Sequence, residues 1–195
     1  MNYSHTLSDG ERLKLVDFFG GESVNIDTSC YASEKSAAIH LDHDELGAVT
    51  LKLYDHDESY RKEIEALQRL QGSYGVPDLH SHGTCEIQIS GAQYSRFILR
   101  QRVDGECPPR PADPDEFDLV MHELEKFVAA CGASNVLPGD PKPENAVWNP
   151  DSKTLWWIDY GWFKIAEEHS EMVTITGLAL VSGFKKRLEK LVGTR

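Results

Sequence analysis

The chain has 195 residues, a formal net charge of −12, 40% hydrophobic residues and 27% charged residues. That is enough length for one domain or two small lobes with a real core, and the acidic balance disfavours nucleic acid as a partner. No apolar run approaches the ~20 residues of a membrane span, the polar start Met1-Asn2-Tyr3-Ser4-His5 carries no secretory signal, and Cys30, Cys85, Cys107 and Cys131 include no C-x-x-C pair; neither a zinc site nor a disulfide framework is expected, and the expected compartment is the cytoplasm.

Ser8-Asp9-Gly10-Glu11 reads as a capping box before Leu13, Leu15, Val16 and Phe19, predicting a short helix ended by Gly20-Gly21. From Ser23 to Tyr54 the pattern turns to strands: Val24 to Ile26, Ala37 to Leu41, and Ala48 to Tyr54, with Asp42 to Gly47 as a polar connection. Lys52 lies inside the last of these. Glu58 to Leu70 then has a helical period, with Ile64, Leu67 and Leu70 on one face. His80 and His82 have no acidic or Cys partner nearby in sequence and read as surface residues, as do His40 and His43. Cys85 to Ser90 and Tyr94 to Val103 predict a hairpin around Ser90-Gly91-Ala92-Gln93.

Pro108 to Pro114 is a proline-rich connector, which sets the expected lobes at 1–107 and 108–195. Asp115 to Cys131 carries Phe117, Val120, Met121, Leu124, Phe127 and Val128 at helical spacing, closed by Gly132. Next come Asp140-Pro141-Lys142-Pro143-Glu144-Asn145 and two strand-like runs, Ala146 to Trp148 and Thr154 to Ile158. They flank the turn Asn149-Pro150-Asp151-Ser152 and lead to Asp159-Tyr160-Gly161. Such a hairpin brings its ends together, with Asp140, Lys142 and Asn145 facing Asp159. Two carboxylates, a carboxamide and an ammonium suit Mg²⁺ and phosphate oxygens. Trp162, Phe163 and Ile165 extend an apolar patch, and His169 to Leu191 reads as a helix with Leu178, Val181, Leu188 and Leu191 along one face.

DPKPEN followed by DYG resembles the D-x-K-P-x-N and D-F-G elements of the protein-kinase-like superfamily, which includes small-molecule phosphotransferases. The resemblance covers roughly residues 30 to 165. It implies an α+β, two-lobe fold: a small antiparallel sheet lobe with one key helix, and a reduced helical lobe. It further implies Asp140 as catalytic base, Lys142 as a phosphate contact, and Asn145 and Asp159 as metal ligands. Lys52 corresponds to the strand lysine that grips nucleotide phosphates, with Glu63 as its helix partner and Glu65 as second choice. Arg102 and Val103 fall in the hinge whose backbone reads adenine. ATP and Mg²⁺ are the implied cofactors, and a small molecule or a specific protein the implied acceptor.

The sequence also departs from the family. No glycine-rich loop precedes Lys52; the expected first turn near Cys30 to Ser36 offers only the hydroxyls of Ser29, Ser33 and Ser36. Arg100 stands where the back of the adenine pocket is normally apolar, so it either turns outward or changes the pocket. Pro138-Gly139 replaces the usual His-Arg, and no A-P-E element follows. Three functions therefore stand side by side. One is phosphotransfer from ATP-Mg²⁺. Another is a kinase scaffold turned to nucleotidyl, glutamyl or tRNA-dependent aminoacyl transfer, which the net charge disfavours for tRNA without excluding it. The last is a non-catalytic binding module.

Overall fold

The computed structural model describes residues 3–21, 24–32, 36–166 and 171–193. The fold is α+β. In chain order it contains β1 (Tyr3–Thr6), α1 (Asp9–Phe18), β2 (Val24–Ala32), β3 (Ser36–His43), β4 (Gly47–Tyr54), α2 (Asp57–Leu70), β5 (Leu79–Ile89) and β6 (Ala92–Gln101). There follow α3 (Pro114–Ala133), β7 (Val136–Leu137), β8 (Ala146–Asn149), β9 (Thr154–Trp157), β10 (Lys164–Ile165) and α4 (Glu171–Val192). The chain divides into two units, Met1–Arg61 with Asp78–Arg102, and Lys62–Pro77 with Val103–Arg195. Among the described residues no helix is long and apolar enough to cross a membrane.

The first unit is built on a six-stranded antiparallel sheet in the order β1-β2-β3-β4-β6-β5. Period-two alternation puts Ile39, Leu41, Val49, Leu51, Leu53 and Leu99 into a core shared with Leu15 of α1. At roughly 1.5–3 kcal/mol for each large side chain buried, this core is the unit's main stabilising term. The opposite face is more polar. Register places His40, Thr50 and Arg100 in one cross-strand row and Ala38, Lys52 and Ile98 in the next. His40 Nδ1 lies 3.0 Å from Thr50 Oγ1, so His40 is half-buried on the sheet rather than on the surface.

α1 starts as the capping box requires. Ser8 N donates to Glu11 Oε2 at 2.8 Å, and Glu11 N to Ser8 Oγ at 3.3 Å. The same carboxylate accepts from Ser90 N at 2.7 Å, tying α1 to the β5–β6 turn. That turn is tighter than expected from sequence. Ser90 and Gly91 have φ of 53° and 81°, the two-residue mirror-image turn favoured by strand twist, and Ala92 and Gln93 already belong to β6. β5 likewise begins at Leu79, well before Cys85, because its exposed first half lacks the apolar alternation that marks a strand.

In the second unit α3 packs on α4, β7 and β9. Asp113 caps it, accepting from Glu116 N at 2.8 Å, and Pro114 fills the first turn. Gly132 does not end this helix; it continues to Ala133, and Asn135 supplies the left-handed residue at φ 54°. β7 and β10 form a two-stranded antiparallel pair too short to show a period in sequence. α4 is turned relative to its expected face. Leu180, Phe184 and Leu188 are buried, whereas Leu178 is 67% exposed. Its glycines explain the rotation: a Cβ on Gly177 would lie 2.6 Å from Val128 Cγ1 of α3, so this small-residue side is the one that allows close approach. The first residues of the predicted helix, His169 and Ser170, lie outside the described residues, as does Ser33.

Burial pushes the Glu11 carboxyl up, but its hydrogen bonds from Ser90, from the hydroxyl and amide of Ser8 and from His5 outweigh this and hold its pKa down at about 2. A carboxylate depressed in the folded state stabilises fully above its unfolded pKa, and that contribution fades as pH falls through the folded value. Glu11→Gln should therefore cost about 1 kcal/mol at pH 7, a typical cap value. In urea unfolding from pH 7 to pH 2, the gap between wild type and variant should narrow below pH 4.5. A gap independent of pH would show that the ionised form contributes nothing.

Candidate active site

The loop from Leu137 to Asn145 connects β7 to β8 and is fixed mostly by its own backbone and side chains. Asp140 has φ 53°, the left-handed region that Asp tolerates better than most residues. This turn aims its carboxylate back over the loop. Lys142 Nζ reaches Asp140 Oδ2 at 2.8 Å, and Lys142 N donates to Asp140 O at 2.7 Å. Asn145, buried at the end of a 3₁₀ turn (Pro143–Asn145), donates through Nδ2 to Asp140 O at 3.0 Å and to Oδ2 at 3.1 Å. Two side chains thus converge on Oδ2, which leaves Oδ1 of Asp140 and Oδ1 of Asn145 as the acceptors with capacity for a ligand.

Asp159 arrives on the other arm of the hairpin. β8 and β9 pair Ala146 with Trp157 and Asn149 with Thr154, and the Asn149 carboxamide accepts from Asp151 N and Ser152 N to close the turn. Ile158 N then donates to Asn145 O at 2.8 Å. Asp159 is therefore one residue beyond a hydrogen bond to Asn145. Its carbonyl accepts from Trp157 Nε1 at 2.7 Å, and its Oδ1 accepts from Gly161 N at 3.2 Å. The structure thus gathers Asp140, Lys142 and Asn145 directly, and brings Asp159 to the same hairpin end through the backbone.

An aromatic cluster holds this arm. Trp157 stacks on Phe127 with ring centroids 5.4 Å apart and planes 7° from parallel, and it touches Phe163 and Phe184. Tyr160 is fully buried, edge-on to Phe163 at 5.0 Å, and donates to Trp157 O at 2.9 Å. Sequence reasoning missed three small or exposed positions here. A Cβ on Gly139 would collide with the backbone oxygen of Trp162; the glycine that replaces an expected arginine lets the two segments touch. A Cβ on Gly183 of α4 would lie 2.8 Å from Pro141 Cγ. Of the expected apolar patch, Phe163 is buried while Trp162 is 71% exposed. The glycine directly before Asp140 was the available signal.

Lys52 lies on the polar face of the first unit's sheet, half-buried, with Nζ 5.5 Å from the Tyr54 ring centroid. Glu63 of α2 is fully buried, whereas Glu65 is exposed. Arg102 closes the first unit, its Nη1 3.3 Å from Asp42 Oδ1 and its N donating to Ala48 O. Val103 opens the long segment of the second. Arg100 is only 5% exposed, opposite Thr50 in register. It does not turn out to solvent.

No family model and no curated protein matches this chain. Its chemistry has to be read from its own geometry.

Among the described residues no three His, Cys, Asp or Glu side chains gather as a metal cage. The donor set still suits a hard cation. Magnesium is commonly bound through one or two carboxylates and completes its shell with water and phosphate; Asp159, with Asn145 Oδ1, is the residue that would hold it.

Two substitutions test how the loop is held. Gly139→Ala drives a methyl group into a backbone carbonyl that cannot swing away, and should cost about 1–3 kcal/mol. Trp157→Phe keeps a ring against Phe127 but removes the hydrogen bond to Asp159, and should cost about 1–2 kcal/mol. Denaturant melts measure both. A Gly139→Ala protein as stable as wild type would show that the contact with Trp162 can relax.

Proposed function

We propose that this chain is a phosphotransferase of kinase-like, two-lobe architecture that moves the γ-phosphoryl group of ATP to a hydroxyl acceptor. The observation that carries this reading is the convergence of Lys142 Nζ and Asn145 Nδ2 on Asp140 Oδ2. It fixes one carboxylate oxygen and leaves Oδ1 to take the acceptor's proton. Asp140 would receive that proton as the acceptor oxygen forms its bond to the γ-phosphorus. The bond from phosphorus to the bridging oxygen breaks, and ADP leaves with the electron pair. Lys142, exposed and two residues away, would balance charge on the phosphoryl group in transit. Magnesium, held by Asn145 and Asp159, would neutralise the donor's phosphates. On the same reading Lys52 would be a phosphate contact, and the backbone of Arg102 and Val103 would read adenine.

One observation favours a second reading. A guanidinium 5% exposed, in the row next to Lys52 on the same sheet face, is not what a plain adenine slot carries. That departure supports the alternative of nucleotidyl, glutamyl or aminoacyl transfer on the same scaffold.

Calorimetry with Mg²⁺-ATP separates these. Phosphotransfer requires binding at or below millimolar nucleotide, weakened by Asp159→Asn. Asp140→Ala should then lower turnover by about 10²–10⁴-fold while leaving nucleotide binding intact. Absence of Mg²⁺-ATP binding at millimolar concentration would discard ATP as donor, and turnover unchanged by Asp140→Ala would remove the base.

A further inference from the structure

We infer that Trp157 is a positioning residue for the cation: its indole N–H, by holding the Asp159 carbonyl, sets where the Asp159 carboxylate stands and so sets the affinity for the metal. This rests on the reading of Asp159 as a ligand. Trp157 ends β9 and is 1% exposed. An indole N–H is a donor only, and once buried it needs an acceptor. The acceptor is the Asp159 carbonyl at 2.7 Å, two residues along the chain and not across the core. The one polar atom of the indole is therefore committed to the segment that carries the candidate ligand.

The indole can act as a fixed point because the rest of Trp157 is held as well. Its N donates to Gly75 O at 2.9 Å, and Ala146 of β8 lies opposite it in register. Its ring stacks on Phe127 and touches Phe163 and Phe184. Its carbonyl accepts from the hydroxyl of the fully buried Tyr160 at 2.9 Å. Trp157 thus grips both ends of one peptide unit: the side chain holds the carbonyl of Asp159, and the carbonyl holds the side chain of Tyr160. The following amide, Gly161 N, donates to Asp159 Oδ1 at 3.2 Å. Orientation therefore passes from the indole N–H to the Asp159 carbonyl, then to the Gly161 amide and back to the Asp159 carboxylate. On the entry side, Ile158 N is fixed by its bond to Asn145 O at 2.8 Å. Loss of the N–H would release the Asp159 carbonyl, and the Gly161 amide would turn with it. The aromatic packing would survive; the direction of the carboxylate would not. Metal sites are sensitive to such support, and removing a group that orients a ligand typically weakens binding by about 10–100-fold.

The test is metal binding, without turnover. Mn²⁺ alone is titrated into the full chain and the free ion is counted by electron paramagnetic resonance; the binding that Asp159→Asn removes defines the site. Trp157→Phe keeps a ring against Phe127 and should raise the Mn²⁺ Kd at this site about tenfold, whereas Phe184→Leu, which disturbs the same cluster and no hydrogen bond, should change it by less than about twofold. Replacing Trp157 by benzothienylalanine, in which sulfur takes the place of the N–H in a ring of the same shape, should reproduce the effect of Trp157→Phe. That analogue decides the outcome if thermal melts show Trp157→Phe unfolded at the assay temperature. An unchanged Kd in both Trp157 variants, with binding still lost in Asp159→Asn, would overturn the positioning role and keep Asp159 as ligand. Equal weakening in Phe184→Leu and Trp157→Phe would overturn it too, reducing Trp157 to packing. No Mn²⁺ binding to wild type, or binding that Asp159→Asn leaves intact, would discard Asp159 as ligand and the positioning role with it.

Discussion

Trp157 is the constraint on which the second unit turns. Its indole face is covered by Phe127 of α3, its edge by Phe163 and by Phe184 of α4, and its N–H is committed to the carbonyl of Asp159. One side chain thus joins two helices, a strand and the segment that carries the last candidate ligand. Aromatic pairs of this kind contribute about 0.5–1.5 kcal/mol beyond the area they bury, and the hydrogen bond adds direction to that energy. Because Trp157 also pairs with Ala146 across the hairpin, the position of Asp159 relative to Asn145 follows from strand register and not from a flexible loop.

The loop that carries Asp140 depends on small residues in the same way that Asp159 depends on large ones. Gly139 lets Trp162 approach, and Gly183 lets α4 approach Pro141. Gly105, at φ 148°, lies directly against the Trp148 carbonyl, while Glu106 exchanges backbone hydrogen bonds with Trp148 at 2.8 and 2.9 Å. Each glycine marks a place where two backbones, or a backbone and a proline ring, meet without a side chain between them. The left-handed Asp140 costs about 1–2 kcal/mol of local strain, offset by the four hydrogen bonds that Lys142 and Asn145 make to it.

What could be read from the residues, and what could not, follows from range. The capping box at Ser8 and Glu11, the stripe from Val120 to Cys131, and the turn at Asn149 are local codes, and each reappears in the structure. The strand Ala48 to Tyr54 was legible from alternation, and Thr154 to Ile158 from its hydrophobic run, which the structure ends one residue earlier at Trp157. Misses came where the decision was made by a distant partner. α4 has apolar residues on more than one side, and only the fit of Gly177 and Gly183 against α3 and Pro141 selects its buried face. The exposure of Trp162 is invisible in DYGWF, where three aromatic residues look alike until the turn sends one outward. The grouping of Asp140, Lys142 and Asn145 was legible because a short, proline-stiffened loop leaves few other arrangements; its hydrogen-bond pattern was not, since that depends on the φ of Asp140.

Arg100 sets the remaining question in physical terms. A guanidinium keeps its charge at any working pH, so its burial on the sheet opposite Thr50 demands compensation, either from counter-charge in the protein or from a ligand. Lys52 lies one cross-strand row away on the same face, and the chain has only 20 basic residues against 32 acidic ones. Both lie on the more polar face of the sheet, not on the face that packs Ile39, Leu41, Val49 and Leu51 with Leu15 of α1, and burial of either charge there requires a polar or ionic partner.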